Sequence, residues 1–479
     1  MNTRMISYLL GIILLIEAAL LLLPMTVALI YGESLTPFIL TVAIILALSL
    51  PFVLRKPRNS RIYAKEGFVC VAAAWLLMAA LGALPFVFSG AIPNYISAFF
   101  ETVSGLTTTG ASILTEIESL PRGILFWRSF THWIGGMGVL VFMLAILPLA
   151  GGQTMHLMRA EVPGPTKGKL VPKMRRTALI LYGIYIALTA ILVVILLLCR
   201  IPLYDSLVNA FGTAGTGGFS VLNNSIAGYN NPAAEWVIGV FMVLFGINFN
   251  LYYFLLIRRW RDVVRNEELR FFLILVLVVT AIIAVDIHHL FDDVGTCIRA
   301  AFFQVASIIS TAGFSTVNYD LWPDLSKTLL VSLMLIGSCA GSTAGGLKIS
   351  RVLIIVKNAL REIKHLLRPR SVNVVRLDGE AVSEETVRSA TGYLALYVIL
   401  LVLTVLLLSI DGFGLETNLT ATLACINNVG PGLKDVGPAS NFAGYSLFSQ
   451  ALLSLNMLLG RLEIMPVLIL LSPRSWKKQ

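Results

Sequence analysis

Four tripeptides that end in glycine lie far apart in the sequence and share one chemical capability. They are Thr108-Thr109-Gly110, Thr216-Gly217-Gly218, Thr311-Ala312-Gly313 and Asn428-Val429-Gly430. We name them glycine motifs 1 to 4 in chain order. Glycine permits backbone dihedral angles that turn successive carbonyl groups toward one axis. Because a ring of carbonyl oxygens can replace the hydration shell of a cation, motifs that meet at one axis would form a cation site.

The residues around these motifs also repeat. Residues 98–112 read AFFETVSGLTTTGAS and residues 301–315 read AFFQVASIISTAGFS, with seven of fifteen positions identical and no gap. Residues 206–220 (SLVNAFGTAGTGGFS) share Thr-x-Gly-Phe-Ser with residues 301–315, whereas residues 418–432 (NLTATLACINNVGPG) fit more weakly. One structural unit is therefore expected to recur four times along the chain.

Long apolar segments must position the motifs, because the composition is that of a membrane protein. Of the 479 residues, 57% are hydrophobic and 13% are charged, whereas soluble proteins carry about 25% charged residues. This composition excludes a soluble enzyme. Ten apolar segments are candidate membrane spans, at residues 5–31, 36–54, 68–90, 123–149, 177–199, 235–257, 271–290, 327–356, 391–410 and 445–472.

A shorter apolar segment precedes each glycine motif, at residues 94–107, 205–216, 297–310 and 416–428. Because a membrane span needs about 20 apolar residues, these segments are expected to be re-entrant or interfacial helices. We therefore expect an all-α polytopic membrane protein with four parallel span–pore-loop–span repeats around a central pore, preceded by a two-helix N-terminal domain. The expected boundaries are 1–66 for the N-terminal domain and 67–158, 159–260, 261–368 and 369–479 for repeats 1 to 4.

Charge along the chain predicts the orientation of these spans. Basic residues cluster in alternate connections, at 55–65, 159–176, 258–270 and 348–388, and again in the tail. The remaining connections carry acidic residues instead. Since basic loops stay in the cytoplasm, both termini are expected to be cytoplasmic and all four motifs to lie on the outer side. The net charge of +10 then reflects topology, and no nucleic-acid binding is expected.

A glycine-rich stretch, GSCAGSTAGGLK at residues 337–348, interrupts one of the apolar segments. Its candidate gate residues are Gly337, Gly341, Ser342, Gly345, Gly346 and Lys348. One interpretation is a GxxxGxxxG row that packs closely against a neighbouring helix. The other is a broken helix that faces the pore, which is favoured because each glycine costs a helix about 1 kcal/mol.

Arg461 is a further candidate, because it lies well inside the last apolar segment. A charge at that depth usually faces the interior of a helix bundle or a cavity. The alternative is a side chain that extends to the cytoplasmic interface. Glu463 is two residues away and points to another helix face, so it is a poor partner on the same helix.

Signatures of enzymatic chemistry are missing from the sequence. The five cysteines are scattered without a CxxC pair, and the five histidines show no metal-ligand grouping. Gly135, Gly136 and Gly138 are interpreted as packing glycines. No Walker motif or catalytic Ser/His/Asp grouping is present, so we expect neither an enzyme nor a chain that binds ATP itself.

The repeated span–motif–span unit, the glycine-rich break and the arginine in the last span resemble the TrkH-type subunits of the Trk/Ktr/HKT superfamily of potassium transporters. The resemblance covers nearly the whole chain, with residues 5–54 similar to the extra N-terminal spans of the TrkH form. Motif 4 departs from the family pattern, because Asn428 stands in place of threonine and Pro431 follows the glycine.

This resemblance implies potassium uptake through a channel-like pore with a single-glycine carbonyl filter in each repeat. It implies that residues 337–348 form an intramembrane loop that closes the pore, and that Arg461 reaches this loop to block permeation. It also implies a homodimer in the lipids of a bacterial inner membrane, with cytoplasmic nucleotide-binding regulatory subunits of the TrkA type. Potassium would be the transported ion, with no covalently bound cofactor. The alternative is a proton- or sodium-coupled secondary cation transporter. That alternative would predict inverted repeats with broken helices near the membrane midplane.

Overall fold

A computed structural model describes residues 2–57, 64–138, 174–370, 373–462 and 464. Several expectations fall outside these ranges. They concern most of the basic connection at 159–176, the ends of the spans at 123–149 and 445–472, the tail, His156 and Glu463.

Helices make up most of the described chain, as the composition predicts. In chain order the described helices are α1 (Thr3–Leu20), α2 (Leu22–Ile30), α3 (Thr36–Val53), α4 (Ala64–Gly82), α5 (Leu84–Phe88), α6 (Tyr95–Leu106), α7 (Arg122–Gly136), α8 (Met174–Leu198), α9 (Leu203–Gly215), α10 (Pro232–Phe245), α11 (Phe249–Leu256), α12 (Trp260–Arg265), α13 (Glu267–Ile287), α14 (Val294–Ile309), α15 (Asp324–Ile336), α16 (Ile349–Leu367), α17 (Glu384–Leu408), α18 (Leu415–Ile426) and α19 (Leu447–Arg461). In the described residues, extended structure consists of one antiparallel pair, β1 (Arg376–Leu377) with β2 (Glu380–Ala381). The predicted all-α class is confirmed.

The N-terminal spans pack against each other and against two helices that follow them, α4 and α7. Helix α1 lies against α3 and also contacts α4, while α2 lies against α7. Gly11 on α1 allows close packing, since a Cβ atom built there would lie 2.8 Å from Cγ2 of Val53. The two leading spans are thus packed onto the rest of the described chain through α4 and α7.

Six helical segments of the described chain are long and apolar enough to cross a membrane. They are Thr3–Ile30, Thr36–Val53, Val69–Phe88, Ala178–Leu198, Glu267–Leu290 and Glu384–Asp411. The bent pair α10 and α11 would make a seventh. Two more of the ten expected spans continue beyond the described residues, and the one at 327–356 is interrupted.

One of these candidate spans is bent. Within residues 235–257, α10 and α11 meet at an angle of 90°. Helix α10 is capped by Gly246, and α11 starts after Asn248, whose side chain accepts a hydrogen bond from the backbone of Asn250 at 3.0 Å. The two helix ends also bond to the glycine-rich stretch, because Cys339 N donates to Gly246 O at 3.2 Å and Phe249 N donates to Gly341 O at 3.0 Å. A bend is tolerated in a span when another segment satisfies the freed backbone groups.

The four short helices lie at the centre of the molecule. Helices α6, α9, α14 and α18 match the segments expected at 94–107, 205–216, 297–310 and 416–428, with small shifts at their ends. In α6 every residue from 97 to 106 is buried apart from Phe99. By contrast, only 22% of the apolar window in Ala178–Leu198 and in Glu384–Asp411 is buried. The long helices therefore present apolar surface outward, and the short helices fill the interior.

Candidate functional site

Each glycine motif begins with the same chain reversal at the end of a short helix. The backbone N–H of its second residue donates to the carbonyl five residues earlier. The four bonds are Thr109 N to Ser104 O, Gly217 N to Gly212 O, Ala312 N to Ser307 O and Val429 N to Ala424 O, each 2.8 Å long. The N–H of each motif's first residue also donates to the carbonyl three residues earlier, at 3.1–3.3 Å. The two bonds together are the Schellman arrangement that ends helices. The four motifs therefore leave their helices in one shared geometry.

The first residue of every motif has left-handed backbone dihedral angles. Its φ is 56° at Thr108, 57° at Thr216, 58° at Thr311 and 54° at Asn428. A β-branched threonine rarely adopts this conformation, and holding it there costs about 1–3 kcal/mol. Asparagine tolerates it better than most residues. The departure at Asn428 thus preserves the backbone geometry of the other three motifs.

The third residue of every motif must be glycine for two reasons. Its φ is positive, at 83° in Gly110, 79° in Gly218, 75° in Gly313 and 101° in Gly430. In addition, each glycine touches the middle carbonyl of the next motif. A Cβ atom built on Gly110 would lie 2.0 Å from Gly217 O, and one built on Gly218 would lie 2.0 Å from Ala312 O. A Cβ atom on Gly313 would lie 2.2 Å from Val429 O, and one on Gly430 would lie 2.7 Å from Thr109 O.

These contacts link the motifs in the order 1–2–3–4 and back to 1, so they close a ring. Asn428 reinforces the last junction, because its Nδ2 donates to Oγ1 of Thr109 at 2.9 Å. The ring is narrow, since the Cβ built on Gly110 also lies 3.8 Å from Ala312 O of the motif diagonally opposite. The expectation that the motifs meet at one axis agrees with this geometry.

Four middle carbonyl groups alternate with the glycines around this ring, and we name them the carbonyl ring. They belong to Thr109, Gly217, Ala312 and Val429, all of which are buried. Within the described ranges, none of these oxygens accepts a hydrogen bond. A buried carbonyl without a donor is costly and calls for another partner. Carbonyl oxygens are also the ligands that a desolvated alkali cation requires, so the ring is chemically suited to hold one.

The glycine-rich stretch is not helical and lies against motifs 3 and 4. Gly345 N donates to Oγ1 of Thr311 at 2.8 Å. A Cβ atom on Gly345 would lie 2.2 Å from Asn427 O, immediately before motif 4. Three of its glycines have positive φ, at 68° in Gly337, 75° in Gly341 and 80° in Gly346. The structure therefore has the broken helix and not the continuous GxxxGxxxG row.

Side chains within the stretch hold its turns. Ser342 Oγ donates to Cys339 O at 2.6 Å. Lys348, which is 1% exposed and has φ of 72°, donates from Nζ to Ala344 O. Of the candidate residues, Gly337, Gly345 and Lys348 are thus buried, whereas Gly341, Ser342 and Gly346 are half-buried.

Glu268 is a residue of this region that sequence reasoning missed. It lies in the first turn of α13, is 6% exposed, and accepts hydrogen bonds from Ala340 N at 2.7 Å and Ser350 N at 3.0 Å. One carboxylate therefore holds both sides of the glycine-rich stretch and caps the start of α16. The only signal in the sequence was an acidic residue at the edge of a span, which is also typical of ordinary helix starts.

Arg461 points into the interior of the protein and is 9% exposed. Its Nη1 donates to Thr343 O in the glycine-rich stretch at 2.7 Å. Its Nη2 donates to Gly135 O at 2.6 Å and to Gly136 O at 3.2 Å, at the end of α7. The bond to the stretch agrees with the sequence-based expectation, whereas the bonds to α7 were not foreseen. Arg461 thus joins the glycine-rich stretch to the end of α7.

The packing glycines of α7 explain how this helix comes so close to the motifs. A Cβ atom on Gly135 would lie 1.7 Å from Leu106 O, at the end of α6. One on Gly136 would lie 2.6 Å from the Cα atom of Gly215, at the end of α9. Helix α7 therefore lies in contact with the short helices that precede motifs 1 and 2.

Comparison with known proteins assigns the family. The family model described as "TrkH: Cation transport protein" matches residues 36–478. The chain belongs to the TrkH family. Two relatives named Trk system potassium uptake protein TrkH, from Salmonella typhimurium and Escherichia coli K12, are 36% and 35% identical to it, and each alignment covers all of both chains. Trk system potassium uptake protein TrkG of Escherichia coli K12 is 34% identical, again over the full length of both chains.

A solved structure agrees with the TrkH assignment. The crystal structure of the potassium transporter TrkH from Vibrio parahaemolyticus is similar to this chain with a TM-score of 0.88, at 30% identity and full coverage of both chains. This similarity extends the family assignment to the three-dimensional fold. The TrkH family consists of membrane transport proteins, and the family recognised from the motifs is confirmed.

Proposed function

We propose that this chain takes up potassium through a channel-like pore whose selective site is the carbonyl ring. The closed ring of carbonyl oxygens on four buried residues, which accept no hydrogen bond from the described part of the chain, carries this proposal. A cation at its centre would supply a partner for these oxygens, and they would replace water around the ion. The names of the relatives, which are potassium uptake proteins, support potassium as the ion.

The short helices favour a cation at the same place. Helices α6, α9, α14 and α18 all end at the glycine motifs. The carboxyl end of a helix carries the negative end of its dipole, equivalent to about half an elementary charge. Four such ends directed at one region lower the energy of a cation there without an ionised side chain. The filter would consist of all twelve motif residues, 108–110, 216–218, 311–313 and 428–430.

The glycine-rich stretch and Arg461 would form the gate of this pore. The stretch lies against Thr311 and Asn427, on the side of the motifs where their helices end. A guanidinium group bonded to it adds a positive charge beside the path of a cation, which raises the barrier to permeation. Opening would require the stretch to leave both Glu268 and Arg461.

The organisation of the whole transporter follows from the same reasoning. We place the N-terminal domain at 1–66 and repeats 1 to 4 at 67–158, 159–260, 261–368 and 369–479. The chain would lie in a bacterial inner membrane as a homodimer surrounded by lipid, with both termini in the cytoplasm. The basic cytoplasmic connections would face a nucleotide-binding regulatory subunit of the TrkA type, since the sequence has no nucleotide motif of its own.

Ion flux into liposomes tests this function. Purified protein is reconstituted, and K⁺ uptake is followed under a K⁺ gradient alone and then with an imposed proton or Na⁺ gradient. The proposal predicts K⁺ flux that follows the K⁺ gradient and exceeds Na⁺ flux. Flux that occurs only with a proton or Na⁺ gradient would instead support the coupled secondary transporter.

A further inference from the structure

Arg128, on α7 of repeat 1, reaches the chain that leaves motif 2. Its side chain is 2% exposed, and its Nε lies 2.7 Å from Oε1 of Glu101 on α6. Its Nη1 donates to Ser220 O at 3.2 Å, two residues after motif 2. The guanidinium carbon also lies 3.5 Å from the centre of the Phe219 ring. Arg128 is thus bonded to repeat 1 and repeat 2 at once.

Glu101 completes the link, because it binds the chain that leaves motif 1. It accepts hydrogen bonds from Ser112 Oγ at 2.9 Å and from Ile113 N at 3.0 Å. The equivalent positions, seven residues before each of the other motifs, are the uncharged Asn209, Gln304 and Ala421. Among the repeats, the first therefore has a buried ion pair that joins the segments following motifs 1 and 2.

His132 lies one helical turn after Arg128 and supports motif 2 itself. Its Nδ1 donates to Gly105 O at 2.7 Å, since a carbonyl can only accept. Its ring fills the position of a side chain at Gly217, where a Cβ atom would lie 2.3 Å from both Cγ and Nδ1 of the imidazole. Elsewhere the middle residue of a motif carries its own side chain. The imidazole of repeat 1 thus replaces the missing side chain of motif 2.

We propose that Arg128 and His132 are positioning residues for ion selectivity, which together fix motif 2 against motif 1. The inference rests on the proposed function and adds to it the residues that set the geometry of the carbonyl ring. Gly217 contributes one of the four ring oxygens and is in direct contact with Gly110. A shift of Gly217 therefore moves a ring oxygen and changes how well the ring fits K⁺ relative to Na⁺.

A steric double-mutant cycle between His132 and Gly217 tests the proposal. His132→Ala removes the ring, and Gly217→Ala introduces a methyl group that collides with it. Each single variant should lower the K⁺/Na⁺ permeability ratio in liposomes. In the double variant, the new methyl group occupies part of the vacated space. Its K⁺/Na⁺ permeability ratio should be about fivefold higher than the ratio expected if the two single effects simply multiplied, which corresponds to a coupling of about 1 kcal/mol.

A second variant keeps the test decisive if a member of the cycle does not fold. Arg128→Lys keeps the positive charge beside Glu101, but an ammonium lacks the planar fork that reaches Glu101 and Ser220 together. Arg299→Lys is the matched control, because Arg299 Nε forms a 2.7 Å pair with Glu235 that does not contact a glycine motif. We expect lower selectivity in Arg128→Lys and unchanged selectivity in Arg299→Lys.

The outcomes separate this inference from the proposed function. Wild-type protein that does not select K⁺ over Na⁺ would refute the proposed function. Selective wild-type protein, with unchanged selectivity in folded Arg128→Lys and no coupling in the cycle, would refute only the positioning role. Equal loss of selectivity in Arg128→Lys and Arg299→Lys would likewise overturn it, since an arginine–glutamate pair away from the motifs would then have the same effect.

Discussion

Substitution of Gly110 by serine probes the carbonyl ring at its closest contact. The φ of Gly110 is 83°, which costs a residue with a side chain about 1–2 kcal/mol. The Cβ atom would also lie 2.0 Å from Gly217 O, a backbone atom that cannot rotate away. Forcing extra atoms into a packed site costs about 1–3 kcal/mol more. Together the two effects destabilise the native ring by about 2–5 kcal/mol. Movement of motif 2 away from motif 1 would relieve this strain.

The assay measures the K⁺/Na⁺ permeability ratio of purified Gly110→Ser protein in liposomes. Thermal unfolding in detergent measures its stability. Gly90→Ser is the matched control, because Gly90 has φ of 73° but no atom lies within 4 Å of its Cβ position. We expect Gly90→Ser to lose only the backbone contribution and to keep its selectivity. A Gly110→Ser variant that is as stable and as selective as Gly90→Ser would show that the contact between Gly110 and Gly217 does not set the geometry of the ring.

Three other predictions concern the gate and its regulation. Arg461→Ala removes the bonds to Thr343, Gly135 and Gly136 and should increase K⁺ flux at unchanged selectivity; lower flux in folded protein would make the residue structural. Glu268→Gln keeps the shape of the side chain but weakens its two bonds to backbone N–H groups by removing the charge. K⁺ flux measured in liposomes should therefore rise, and unchanged flux would exclude Glu268 as an anchor of the glycine-rich stretch. A nucleotide-binding partner should co-purify from cells that keep its gene, and ATP added to the chain alone should leave flux unchanged; a direct response to ATP would contradict this.

The elements nearest the ring could be predicted because their signals are local in the sequence. Each short helix is an apolar segment followed directly by a motif, and both were recognised from the repeat. The break at 337–348 was foreseen because its glycines weaken a helix wherever they occur. Local composition thus predicted the positions of the short helices and of the interruption.

Features that depend on distant partners could not be predicted in this way. The bend between α10 and α11 is held by backbone hydrogen bonds to Cys339 and Gly341, which lie far along the chain. The pair formed by Glu101 and Arg128 joins two helices and then a third segment at Ser220. From the sequence each is an isolated polar residue near an apolar segment, and only the tertiary packing shows its partner.

The proposed function requires a cation to bind at the oxygens of Thr109, Gly217, Ala312 and Val429. The most direct measurement is anomalous diffraction from crystals of this protein grown with Tl⁺ in place of K⁺, because Tl⁺ is a heavy monovalent cation that can mark such a site. We expect an anomalous peak at the centre of the carbonyl ring, which weakens when K⁺ is added in excess. Tl⁺ peaks only elsewhere in the protein, with none at the ring, would rule out the ring as the cation site.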